Sequence, residues 1–208
     1  MNRKGKFIVL EGIDGSGLST QCFMLKEYLT KNTSAKILLT KEPTEGPIGE
    51  IIRDTLRKQR KFDDTTLSLL FAADRTDHLS NIKFEDYDYV ISDRYYISNF
   101  AYQQSQTINL DFLVEINKYA RKPDFVIFLD VKPETCIERI TSKRKNPELY
   151  ENIEQLKAIK RKYTKILKNM QSENNLVFVS IKGDKSMEKV NKDIIDALTI
   201  ANILEIVQ

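Results

Sequence analysis

Five short apolar runs, Phe7–Leu10, Ile37–Thr40, Tyr89–Ser92, Phe125–Leu129 and Leu176–Ser180, recur along the chain, separated by longer segments of helical spacing. Runs this short and this uniformly aliphatic or aromatic suit strands buried on both faces. The intervening segments read as helices over about Leu18–Lys31, Ile48–Lys58, Thr65–Ile82, Leu110–Tyr119, Pro133–Lys143 and Glu151–Met170, with a last helix from Met187 towards Leu204. Asn99, Tyr102 and Gln103 fall on one further helix. Strand–helix alternation of this kind predicts an α/β fold: a five-stranded parallel sheet with right-handed crossovers and helices on both faces. Open sheets of this type bind ligands beyond the carboxyl ends of their strands. Here those ends read Glu11-Gly12-Ile13-Asp14-Gly15, Lys41-Glu42-Pro43, Asp93-Arg94-Tyr95 and Asp130, polar and flexible where a site belongs.

Composition narrows the classes. The chain has 208 residues, 41% hydrophobic and 30% charged, enough for a globular domain with a substantial core. No repeat, low-complexity tract or linker divides it, so one domain spanning 1–208 is expected. The 33 basic and 30 acidic residues leave a net charge of +3, too balanced to call for a nucleic-acid partner. Cys22 and Cys136 match no metal-ligand spacing, and Cys22 shares a helical stripe with Leu25 and Leu29, the place of a small buried hydrophobe. Met1–Lys6 is polar and no uncharged stretch approaches the roughly 18 residues of a membrane span. The expected setting is cytoplasmic, without a membrane partner.

Gly12-Ile13-Asp14-Gly15-Ser16-Gly17-Leu18-Ser19 follows the first strand and opens a helix, the context of a phosphate-binding loop. Glycines let the backbone wrap until successive N–H groups point at one anion, and the helix N-terminus adds its dipole. The candidate phosphate set is Gly12, Asp14, Gly15, Ser16, Gly17, Leu18, Ser19 and Thr20, with Ser19 placed to meet Mg²⁺ through its hydroxyl. The usual pattern, GxxxxGK[ST], would put lysine at position 18, where this chain has leucine. Leu18 is in phase with Cys22, Leu25 and Leu29 and extends their packing stripe. A tight turn that binds nothing is the plain alternative.

Further along, Phe71, Asp74, Arg75 and His78 fall at i, i+3, i+4 and i+7 and share a helix face, where an aromatic ring beside an arginine could stack on a base and bond its edge. Ordinary core packing is the alternative. Asp93 and Arg94 end a buried strand: the carboxylate could hold metal-bound water, and the guanidinium offers a fork for phosphate. Taken in order, Glu11–Gln21, Lys41-Glu42-Pro43 with Gly46-Pro47-Ile48-Gly49 and Arg53, Leu70–Arg75, Asp93-Arg94-Tyr95 with Ser98-Asn99 and Ala101-Tyr102-Gln103, and Lys122-Pro123-Asp124 before Leu129-Asp130 closely resemble the thymidylate kinase family of nucleoside monophosphate kinases.

The resemblance implies a P-loop kinase fold with a small mobile lid at about 139–150, transfer of phosphate from MgATP to dTMP, and a homodimer. It assigns Asp14, Glu42, Pro43, Arg53, Phe71, Arg75, Arg94, Ser98, Asn99, Tyr102 and Gln103 to dTMP, with Phe71 against the thymine, Arg75 to its carbonyl and Tyr102 near the sugar. Ser19 and Asp93 become the metal residues, and Arg139 and Lys182 the adenine side. Asp14 and Arg94 are catalytic candidates. Some family members carry an arginine inside the phosphate loop; this chain has none, with Ser16 there, and a basic segment at Arg139, Lys143, Arg144 and Lys145 could supply the cation instead. Arg144 and then Lys143 are the lid candidates, against the alternative of a solvated charged face. His78, the only histidine, is expected in a supporting place, since phosphoryl transfer needs no histidine. Two further readings stay open: a nucleotide-binding paralogue with little activity because position 18 lacks its cation, and a kinase for another nucleotide, which would want other base-edge residues than Arg75 and Asn99.

Overall fold

The computed structural model describes residues 5–143, 148–150, 152–173 and 176–204. Its centre is β1 (Lys6–Glu11), whose Phe7, Ile8, Val9 and Leu10 are all buried. β1 lies between β3 (Tyr89–Asp93) and β4 (Phe125–Asp130); β2 (Ile37–Lys41) and β5 (Phe178–Lys182) form the edges, giving the all-parallel order β2-β3-β1-β4-β5. Register places Leu10 beside Asp93 and Lys41 beside Asp93 on its other flank, so the carboxyl ends of three strands finish level. The expected five-stranded parallel sheet is present, and the fifth strand sits two residues later than the apolar run suggested. Leu176 is buried, but pairing starts at Val126 with Phe178.

Helices flank the sheet. α1 (Leu18–Asn32) packs on β1, β2 and β3, and against the C-terminal helix α8 (Met187–Ile200). α2 (Pro47–Leu56) and α3 (Asp64–Ser80) pack together; α4 (Tyr96–Gln103) bridges α3 and α7 (Ile153–Ser172); α5 (Leu110–Ile116) and α6 (Pro133–Lys143) complete the set. Helix starts follow their caps: Asp63 accepts from Thr66 N–H at 2.8 Å, Asn109 from Phe112 N–H at 2.9 Å and Asn152 from Gln155 N–H at 2.9 Å. α5 ends at Ile116 rather than Tyr119 because Asn117 turns inward: its amide bonds Leu113 O at 2.8 Å and is drawn into a buried network described below. α8 likewise stops at Ile200, where Asn202 takes φ 55. Among the described residues no helix is long and apolar enough to cross a membrane. Of the expected lid, 144–147 lies outside the described residues.

Candidate active site at the first strand's end

The loop between β1 and α1 is shaped by two glycines. Gly15 (φ 79) and Gly17 (φ 97) occupy the left-handed region, and a Cβ on Gly15 would lie 2.5 Å from Cys136 O, so α6 presses directly on the loop. Gly17 leaves the start of α1 with neither a side-chain cap nor an acidic residue in its first turn. Its first N–H groups and the dipole's positive end are therefore open to an anion. Ser16 Oγ is buried without a hydrogen-bond partner among the described residues, a further donor left for a ligand. Gly12 lies beneath the loop, where its carbonyl accepts from Arg94 Nη1 at 2.8 Å.

A cleft of about 780 Å³ opens over this cradle, walled by Asp14, Gly15, Ser16, Gly17, Leu18, Ser19 and Thr20. Glu42, Pro43, Arg53, Asp93, Arg94 and Arg139 line it as well. Ser19 Oγ donates to Asp93 Oδ2 at 2.5 Å, so a hydroxyl and a carboxylate, both hard oxygen donors, meet at the cleft floor. Leu18 is only 5% exposed and packs in the core with Cys22, Leu25 and Leu29, as its phase predicts, while still touching the cleft. Arg139 reaches Ser16 O (3.3 Å) and Gly183 O (3.1 Å), tying α6 to the loop and to the end of β5.

Arg94 is the pivot of the other wall. Its backbone adopts φ 72, an uncommon state for a non-glycine residue, and this turns its side chain back over β1. Nη2 pairs with Asp14 Oδ1 at 2.7 Å, and the guanidinium lies over the Tyr102 ring at 5.3 Å. Tyr102 Oη accepts from Asp14 N–H at 2.9 Å, and burial pushes its phenol up. Behind Arg94 sits Glu11, wholly buried; burial pushes its carboxyl up to about 7 against the bonds it accepts from Ser98 and Tyr163 and the attraction of Arg94.

A smaller cavity of about 70 Å³ adjoins, lined by Pro43, Phe71, Ser98, Tyr102, Gln103 and Tyr150, among others. Phe71, Ser98, Tyr102 and Gln103 thus meet on one wall. Arg75 and Asn99 do not reach it. Arg75 is 2% exposed; its Nη2 pairs with Glu42 at 2.7 Å, its Nη1 bonds Asn117, and its Nε is buried without a partner among the described residues. Asn117 then donates to Asn99 Oδ1 (3.0 Å), Asn99 to Gln103 Oε1 (3.1 Å), and Gln103 Nε2 to Tyr150 Oη (3.3 Å). The charged end sets the direction of every amide in this chain, so Gln103 turns its N–H₂ outward. Glu42 also holds His78 (3.1 Å), which bonds Thr40 Oγ1 at 2.5 Å.

Arg53 lines the main cleft, held by Thr44 O and 3.5 Å from Glu45. Lys182 is exposed and, as the last residue of β5 in register with Asp130 of β4, pairs with that carboxylate. The cleft is reached instead by Gly183, Lys185 and Met187 just beyond it. Arg144 and Lys145, and the side chain of Lys143, lie outside the described residues. Glu11, Asn117 and Tyr163 were missed as site residues. Glu11 stands next to the loop in sequence, but Asn117 and Tyr163 carry no local signal.

Residues 10–194 match the family model described as thymidylate kinase. The chain is 42% identical to a probable thymidylate kinase of Methanococcus maripaludis strain C7, over 98% of this chain and 99% of that protein. It is 39% identical to one of Methanococcus aeolicus, over 96% and 98% respectively. A solved thymidylate kinase from Candida albicans superposes with a TM-score of 0.81 at 27% identity, covering 99% of this chain and 96% of that one.

Proposed function

The chain belongs to the thymidylate kinase family, and from that premise we propose that it transfers the γ-phosphoryl group of MgATP to dTMP, giving ADP and dTDP, at a low rate set by Leu18. The observation that carries this reading is that two anion sites line one cleft: the uncapped start of α1 and the Arg94 guanidinium, which Asp14 and Gly12 tie to the same loop. Loop amides and the α1 terminus cradle the ATP phosphates. Arg94 orients the acceptor phosphate, and Asp14 holds Arg94 and faces the sugar side. Phe71, Tyr102 and Gln103 form the base and sugar wall, with Gln103 presenting a donor to a pyrimidine carbonyl. Arg75 and Asn99 act behind it by fixing that amide, and Glu42 holds Arg75.

Ser19 and Asp93 fit Mg²⁺ arriving with the nucleotide: among the described residues no cluster of three or more acidic, His or Cys side chains forms a cage of its own, which suits an ion that keeps most of its waters. When bound it neutralises phosphate oxygens. Catalysis in such a site is positioning and charge neutralisation, so the missing lysine costs rate rather than binding. A lid cation, Arg144 first and Lys143 second, offsets part of that loss. A homodimer, a cytoplasmic setting and a single domain with a lid belong to the same proposal by family resemblance. The test is ADP release with a panel of monophosphates. dTMP should lead dCMP, dAMP and dGMP in kcat/KM; a purine as best substrate would overturn the base assignment. Nucleotide binding without turnover under any condition would favour the non-catalytic reading.

A further inference from the structure

Glu11 ends β1 with no exposed surface and is used by no step above. Its Oε1 accepts from Tyr95 N–H at 3.0 Å and Ser98 N–H at 3.2 Å, which anchors the start of α4. Its Oε2 lies 2.5 Å from Ser98 Oγ and 3.0 Å from Tyr163 Oη, and those two hydroxyls lie 2.7 Å from each other. Arg94 Nη1, whose shortest bond goes to Gly12 O at 2.8 Å, lies 3.2 Å from Ser98 Oγ and 3.5 Å from Tyr163 Oη, so the pair shares its second proton. Resting on the acceptor-site reading above, we propose that Glu11 is the positioning residue for Arg94, holding a proton while the acceptor phosphate is bound and thereby closing a ring through Ser98 and Tyr163.

Proton counting leads there without any titration argument. Three oxygen–oxygen contacts form the triangle, and two hydroxyl protons are available to fill them. With Glu11 ionised, the two protons fill the 2.5 Å and 2.7 Å contacts and leave Tyr163 Oη facing Oε2 at 3.0 Å with no proton between them. With Glu11 protonated on Oε2, its O–H donates to Ser98 Oγ, Ser98 donates to Tyr163 Oη, and Tyr163 donates back to Oε2. Burial, which pushes Glu11 up to about 7, acts in the same direction. The other titratable and charged groups around it are Arg94 after β3, Asp14 in the loop, Tyr96 and Tyr102 on α4, and Tyr163 on α7. Burial pushes the three phenols up, Tyr96 to about 12, so they stay neutral. A neutral Glu11 leaves the Arg94 charge shared between Asp14 and an incoming phosphate. An ionised Glu11 becomes a second buried competitor for it.

The test is calorimetric binding of dTMP to the whole protein, in buffers of differing ionisation enthalpy, from about pH 6.5 to about pH 8.5. The wild-type dissociation constant should rise roughly tenfold across that range, after allowance for the acceptor's own phosphate ionisation, with proton uptake at the alkaline end. Glu11→Gln, which keeps a donor and an acceptor in place, should show neither the rise nor the uptake, and ATP binding should be alike in both. Tyr163→Phe is the second variant: it removes a donor that favours the ionised carboxylate while burial stays, so the rise in dissociation constant and the uptake should both move to higher pH. Unchanged proton uptake in either variant overturns the proposal while leaving the kinase reading intact. No binding of any monophosphate would instead overturn the acceptor-site reading, and the proposal with it.

Discussion

Leu18→Lys is the most informative single change, because the structure sets both its cost and its benefit. Leu18 is 5% exposed and continues the stripe of Cys22, Leu25 and Leu29. Burying a whole leucine contributes about 1.5–3 kcal/mol. A lysine stem can lie along the same stripe with its ammonium turned into the cleft that Leu18 already touches, so part of that is kept. The expected stability cost is about 1–2 kcal/mol, read as a fall in Tm of about 3–6 °C for a chain of this size. On the other side, the ammonium would follow charge moving towards the leaving oxygen, and one such donor is worth about 10²–10³ in rate. The loop around it has the geometry that lets a lysine serve, with Gly15 and Gly17 left-handed and α1 uncapped. The variant should therefore raise kcat about 10²-fold with little change in ATP affinity. ADP release with magnesium, on protein freed of host kinase, measures kcat; thermal unfolding shows whether the lysine has displaced the buried leucine. A variant with the lowered Tm, normal ATP binding and unchanged kcat would refute the reasoning, since the cation would then be present and useless.

Gln103→Glu keeps the acceptor that Asn99 needs but removes the outward donor, so kcat/KM for dTMP should fall about 10–100-fold, and that for dCMP by less. Equal losses for the two substrates would remove Gln103 from base selection. Alanine at Arg139, Lys143, Arg144 and Lys145 in turn should lower kcat more than either KM at the residue that meets the transferring group; four near-normal kcat values would leave the segment a solvated face. Glu11 also makes a stability prediction. Its folded carboxyl is raised from 4.5 to about 7, so the stability tied to its proton is complete below about pH 4.5 and lost as pH rises towards 7. Urea unfolding of wild type and Glu11→Gln should show the wild-type advantage shrinking by about 3 kcal/mol between about pH 4.5 and about pH 7.5, and a constant difference would contradict it.

Much of the fold and half of the site are local chemistry, and local chemistry is legible in sequence. The glycine loop between β1 and α1 could be read because glycine spacing, a strand before it and a helix after it all act within a dozen residues. Leu18 could be placed in the core because helical phase is a property of one segment. Strand ends announced the cleft because polar residues must follow buried runs where the chain leaves the sheet. Three things required the assembled molecule. Lys182 was expected on the adenine side, but the register of β5 against β4 carries it to Asp130 and brings Lys185 and Met187 to the cleft instead. Arg75 had an aromatic neighbour in phase on its own helix, yet its partners Glu42 and Asn117 come from other elements and link it to the amide chain that ends at Gln103. Glu11 looked like the last residue of a strand. It became a buried proton site when α4 and α7 closed over it, because desolvation and the donors that oppose it depend on residues 87 and 152 positions away, which no window of sequence can show.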